Sequence, residues 1–261
     1  MQKRVNSYSP FSYFCTTTIT LQNERLSVEV CANSVESCIA AQAGGADRVE
    51  LCAGIPEGGT TPSYGDILIA REVLQQTKLH IIVRPRGGDF LYSSTEQRIM
   101  LKDIENARRL GADGVVFGCL TAEGNVDIPL MEQLMKASQG MSVTFHRAFD
   151  VCRNPQKAIE DIIALGCNRI LTSGQQPTAE RGIPLLKELQ QQASDRIILL
   201  AGCGVNETNI ATLPEKPVSA SFISPPGKIS KAPCSITIPP SLWEERYILM
   251  NTHTPSLLRS G

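Results

Sequence analysis

The chain has 261 residues, 42% of them hydrophobic and 20% charged, with a formal net charge of -1. That length holds one large domain with its own core, or at most two small ones. The near-neutral balance lacks the basic excess of a nucleic-acid or anionic-membrane binder, and no window approaches the roughly 18 consecutive apolar residues of a membrane span. The opening Met1-Gln2-Lys3-Arg4 is basic like a signal n-region, but Ser7 to Thr20 is too hydroxyl-rich to follow it as an h-region. The composition therefore predicts a soluble, cytoplasmic protein with no nucleic-acid or membrane partner. Nine cysteines, an odd number with no C-x-x-C pair, argue against structural zinc and for reduced, mostly buried thiols.

In chain order, residues 1–25 carry Ser, Thr and Tyr without an apolar stripe and read as a disordered extension. Residues 26–213 alternate short β-branched runs with amphipathic stretches. Strands are expected at Ser27–Cys31, Arg48–Cys52, His80–Arg84, Gly114–Phe117, Ser142–His146, Arg169–Leu171 and Ile197–Ala201. Helical patterns between them include Ser34–Gly44, Thr95–Leu110, Ile128–Ser138, Pro155–Leu165 and Arg181–Ala193. Asn154-Pro155 has the form of an N-cap with proline at N1, and Gly44, Gly111 and Gly166 stand where helices should stop. A theme recurs three times, as Gly45-Ala46-Asp47, Gly111-Ala112-Asp113 and Gly166-Cys167-Asn168, each followed by an apolar strand. Strands alternating with helices mean an α/β fold with a parallel sheet. Seven βα units without a dinucleotide fingerprint favour a TIM-like (β/α)8 barrel from which strand 8 and helix 8 are missing.

Residues 214–261 differ. They hold eight of the sixteen prolines and no Asp, a density unsuited to a central strand or closing helix. A disordered proline-rich tail is expected there.

In a parallel barrel, chemistry gathers at the C-terminal strand ends. Alternation puts Glu29 with Cys31 on one face of the first strand and Glu50 with Cys52 on one face of the second. Neighbouring strands lie about 4.8 Å apart, so the two thiols can approach one soft ion such as Cu(I), unless both are packing residues. The third strand runs into Arg84-Pro85-Arg86-Gly87-Gly88-Asp89. Its two guanidinium forks are suited to a carboxylate or phosphate, and Asp89 to neutralising them or acting as a base. The alternative is a structural Arg–Asp pair. Thr144 and His146 share a face of the fifth strand, with Asp150 close by, an acid–base or metal-ligand arrangement. Arg147, Ser173, Gly202 and Gly204 stand at strand ends fit for an anion site. Cys119, Cys152, Cys167 and Cys203 are left as core or loop residues.

Taken in order, Val28-Glu29-Val30-Cys31, Val49-Glu50-Leu51-Cys52, Glu57 to Pro62, Arg84 to Tyr92, Asp113 to Gly118, Thr144 to Asp150, Leu171 to Gly174 and Gly202 to Val205 resemble the CutC family, named for copper homeostasis. The resemblance implies a cytoplasmic TIM-like barrel, often a homodimer, with Cu(I) as ligand and Cys31 and Cys52 as its metal site. It also marks a departure, since the family's eighth strand reads like Glu-Phe-His-x-Ser-Ala-Arg. A synonymous coding of residues 218–227, read in a shifted frame, gives Ile-Arg-Glu-Phe-His-Phe-Ser-Ala-Arg, so the tail is expected to be frameshifted and the barrel open. Two other readings stand beside copper binding. One is a barrel enzyme on a small anionic substrate, with Arg84 and Arg86 as clamp, His146 with Asp89 or Asp150 moving protons, and Glu29 and Glu50 lining the floor. The other is a non-functional truncated product.

Overall fold

The computed structural model describes residues 27–205 and the strand at 219–223. The expected N-terminal extension and the tail beyond residue 223 lie outside the described residues. Seven parallel strands follow the expected order. They are β1 (Val28–Ala32), β2 (Arg48–Leu51), β3 (Lys78–Ile82), β4 (Gly114–Phe117), β5 (Ser142–Phe145), β6 (Arg169–Thr172) and β7 (Ile198–Ala201). Six helices alternate with them: α1 (Val35–Ala43), α2 (Tyr64–Val73), α3 (Ser94–Arg109), α4 (Ile128–Ala137), α5 (Pro155–Ala164) and α6 (Ile183–Ala193). The fold is an α/β TIM-like barrel.

The expectation of an open, seven-stranded barrel is corrected. An eighth strand, β8 (Ser219–Ile223), pairs in parallel with β1 from Val28↔Ala220 to Cys31↔Ile223. It also pairs with β7 through Leu200↔Ser219 and Ala201↔Ala220, and the sheet closes. The physical reason lies in the backbone: a ladder needs N–H and C=O groups rather than particular side chains. The six residues from Val218 to Ile223 contain no proline, between Pro217 and Pro225. No helix follows β8 among the described residues.

The recurring Gly-x-Asp theme has a structural purpose. Gly45, Gly111 and Gly166 all take positive φ after a helix, a conformation glycine adopts without cost. Two residues later the side chain reaches across to the preceding strand. Asp47 accepts from the Val28 N–H at 2.8 Å, Asp113 from Leu79 at 2.9 Å and Asn168 from Val143 at 2.7 Å. Each theme thus fastens the start of an odd-numbered strand and sets its register with the next.

Helix starts follow the expected chemistry, with Asn154 accepting from the Lys157 N–H at 2.9 Å. Helix α2 was not among the expected helices. Its Ser63–Asp66 capping box is the sequence signal for it, but Tyr64 and Ile69 face solvent and blur the apolar stripe. Strand β3 lies two residues earlier than expected, so Arg84 stands beyond its end. The core fills the space between sheet and helices, with Phe117, Phe145, Met100, Met131 and Ile159 fully buried.

Candidate functional site

The closest meeting of reactive side chains is at the ends of β1 and β2. The Cys31 and Cys52 Sγ atoms lie 3.3 Å apart, and Cys52 also donates to the Ala32 carbonyl at 3.4 Å. Cys52 is buried and Cys31 half-buried. The hydrogen bond that Cys31 makes with Cys52, then burial, push the Cys31 thiol well above its ordinary value. At about 2.3 Å per metal–sulfur bond, two thiolates on one ion stand up to ~4.6 Å apart. The sulfurs therefore need to part by about 1 Å to grip an ion. Among the described residues no cluster of three or more His, Cys, Asp or Glu side chains is placed to hold a metal. A two-sulfur site suits soft Cu(I) and offers little to ions that demand four or six ligands.

Below the thiols the barrel interior is polar. Glu29 is fully buried and accepts from Arg48 Nη1 at 2.8 Å. Glu50 is buried beside Cys31 and Glu29, and desolvation first, then those two neighbours, raise its carboxyl well above the usual range. His80 is held neutral by burial and by the charges of Arg48 and Arg169. Burial, then repulsion from Arg48, pull Arg169 down to about 10. Several atoms here have no partner among the described residues, including Glu29 Oε1, Arg48 Nε and Arg169 Nε. The expected place of Glu29 as a contact for an anionic ligand is corrected: its charge is spent on Arg48. Glu50, with its carboxyl pKa raised and its side chain buried, likewise offers no attraction to an anion.

The expected arginine clamp is not assembled. Arg84 is buried, and its Nη1 donates to the Glu57 and Gly59 carbonyls at 2.7 and 2.9 Å, its Nη2 to Gly88 at 2.8 Å. Arg86 turns outward, with Nε on Glu96 at 2.6 Å and Nη2 on Asp89 at 2.9 Å. It fastens the loop to the first turn of α3 and has no ligand-facing role. Asp89 has a side chain 74% exposed and pairs with Arg86, which lowers its carboxyl pKa; it is not placed to serve as a base for His146. The reason is local: past Pro85 the chain has left the strand, and inward–outward alternation no longer applies.

His146 does lie inside the barrel, but the expected His146–Asp150 pair does not form. Its Nδ1 accepts from the Ala148 N–H at 3.2 Å, capping the 3-10 turn Arg147–Val151. Asp150 faces the other way. It accepts from Thr172 Oγ1 at 2.6 Å, the Ser173 N–H at 3.0 Å, Gln175 at 3.2 Å and Arg147 Nε at 2.8 Å. With so many donors it is a structural hub. Arg147 and Ser173 do come together, Nη2 to Oγ at 3.2 Å, around this same carboxylate. The Gly202 N–H is spent on the Thr172 carbonyl at 3.0 Å. Gly204 has positive φ in a loop that packs on Thr178. The anion-site reading of Arg147, Ser173, Gly202 and Gly204 thus finds a knot already closed on itself.

Sequence reasoning passed over Phe90, Arg48, Arg169 and Gly118. Parity along β2 and β6 would have revealed the two arginines as inward-facing. Gly118 serves the histidine: a Cβ there would come within 2.7 Å of His146 Nδ1.

A model of the CutC family matches residues 26–220. The chain is 79% identical over 185 residues to a family protein CutC from Bacteroides thetaiotaomicron, covering 71% of this chain and 74% of that protein. It is 74% identical over 185 residues to one from Bacteroides fragilis, with the same coverage of 71% and 74%. Among solved structures it is similar to a protein from Streptococcus agalactiae that carries the name copper homeostasis protein CutC. That match has a TM-score of 0.72 and 35% identity, covering 76% of this chain and 98% of the other.

Proposed function

The chain belongs to the CutC family, and on that premise we propose that it binds Cu(I) in the cytoplasm through the thiols of Cys31 and Cys52. The observation that carries the reading is the 3.3 Å separation of the two sulfurs, on adjacent strands at the ligand-binding end of the barrel. Soft thiolates favour Cu(I) over harder ions. The Cys31 thiol, raised well above its ordinary value, must give up its proton to bind, so the apparent affinity rises with pH. The name of the Streptococcus agalactiae relative agrees with a copper role. A cytoplasmic location agrees with the absence, among the described residues, of a helix long and apolar enough to cross a membrane, and a reducing compartment would keep the two free thiols available to Cu(I).

The test is a Cu(I) competition titration against a chromogenic chelator, run on the full chain and on its Cys31→Ser/Cys52→Ser variant. Stoichiometric binding that the double substitution abolishes is the expected result. No binding, or equal binding by the variant, overturns the reading.

A further inference from the structure

The upper barrel holds a second set of groups that the thiol pair does not use. Arg84 is 4% exposed, and its Nη atoms donate to three main-chain carbonyls. Carbonyl dipoles solvate a guanidinium without neutralising it, and among the described residues no carboxylate forms a direct ion pair with this buried charge, Asp89 acting on it only from a distance. Its Nε is buried and has no hydrogen-bond partner among the described residues. His146 is 3% exposed, and burial first, then the Arg84 charge, hold its imidazole neutral, with a pKa pushed down to about 3. Because Nδ1 accepts from Ala148, the ring proton sits on Nε2. Among the described residues that N–H is also buried and unpartnered, as is the Thr144 hydroxyl, two residues earlier on the same face of β5. One aromatic ring touches both sides of this group. Phe90 lies 4.9 Å from the Arg84 guanidinium carbon and 4.9 Å, centroid to centroid, from His146.

An unmet buried donor is costly, and here two N–H groups share a neighbourhood with a cation that has no direct ion-pair partner among the described residues. We propose that this is a binding site for a small carboxylate, whose two oxygens accept from Arg84 Nε–H and His146 Nε2–H beneath Phe90. The charge balance selects the ligand class. A carboxylate cancels the single positive charge and supplies one oxygen for each free N–H. A phosphate, carrying about -1.5 to -2 at neutral pH, brings more negative charge than Arg84 balances. A neutral carbonyl leaves the guanidinium uncompensated. Thr144 supplies a third donor on the floor, and Gly118 keeps the imidazole's place open. The site involves neither Cys31 nor Cys52 and stands or falls independently of copper binding.

The test is a titration of sodium acetate into the 15N-labelled, copper-free full chain. Chemical shifts are followed for the His146 ring and for the amides of residues 88–92, with inorganic phosphate and chloride titrated in parallel. Saturable shifts with acetate are expected, together with at least a tenfold rise in Kd for His146→Phe and for Arg84→Met read from the amides. Arg84→Met also unties three loop carbonyls, so Phe90→Ala provides a variant that leaves every donor in place. It should bind acetate with faster exchange and a Kd within a few-fold of the parent. The proposal is overturned by the absence of a saturable shift in both the parent and Phe90→Ala, by acetate binding that His146→Phe leaves unchanged, or by phosphate binding more tightly than acetate.

Discussion

Replacing Glu29 with Gln probes the deepest electrostatic commitment in the barrel. The substitution keeps the shape of the side chain and removes its charge. Arg48, with a side chain 10% exposed, then has no counter-charge, and Arg169 is close enough to repel it. Removing one member of a buried pair costs about 3–5 kcal/mol. The lower end applies here because a single 2.8 Å hydrogen bond joins the two, and among the described residues both Glu29 Oε1 and Arg48 Nε already lack partners. A loss of about 3 kcal/mol lowers Tm by roughly 6–12 °C for a domain of this size and takes a large share of a typical stability of about 5–15 kcal/mol. The paired substitution Glu29→Leu/Arg48→Met should recover most of that loss, since apolar replacement of a whole buried pair is often neutral or favourable. Urea unfolding followed by circular dichroism, with unchanged m-values, reads both effects. A Glu29→Gln variant within about 1 kcal/mol of the parent, or a double variant less stable than the single, would refute the argument.

Three further expectations follow from buried groups and from the closing strand. Glu50 has a raised carboxyl pKa in the folded chain; above the unfolded value the unfolded chain sheds a proton that the folded one keeps. Folding therefore loses about 1.4 kcal/mol per pH unit upward from about pH 4.5 until the folded pKa is passed. Glu50→Gln should match the parent below that pH and exceed it increasingly above, as read by urea midpoints at pH 4, 6 and 8. Gly118→Ala drives a methyl to 2.7 Å from His146 Nδ1 and should cost about 1–3 kcal/mol by overpacking; a thermal shift below 1 °C would contradict the packing described. Ala220 pairs with both Val28 and Ala201. Ala220→Pro, or ending the chain after residue 213, should therefore expose the β1 and β7 edges and promote aggregation in light scattering. A truncated chain as monodisperse as the parent would show that β8 closes nothing.

The barrel and the thiol pair were legible because period-2 alternation and the repeated Gly-x-Asp turns are local signals. Parity alone put Cys31 and Cys52 on the inner surface, and strand order put them side by side. The arginine clamp and the His146–Asp150 pair failed for a complementary reason. Arg86, Asp89 and Asp150 lie in loops past strand ends, where side-chain direction is set by contacts that no periodicity reports. Arg86 was claimed by Glu96 and Asp150 by Thr172 and Ser173. Strand β8 was missed because proline density was averaged over the whole tail, hiding a proline-free window long enough to pair.

X-ray absorption at the copper K edge of the Cu(I)-loaded chain tests the central claim most directly. The account predicts a first shell of two sulfur scatterers at a metal–thiolate distance, lost together with the bound copper in Cys31→Ser/Cys52→Ser. A shell of nitrogen or oxygen scatterers, or a sulfur shell that survives the double substitution, would contradict it.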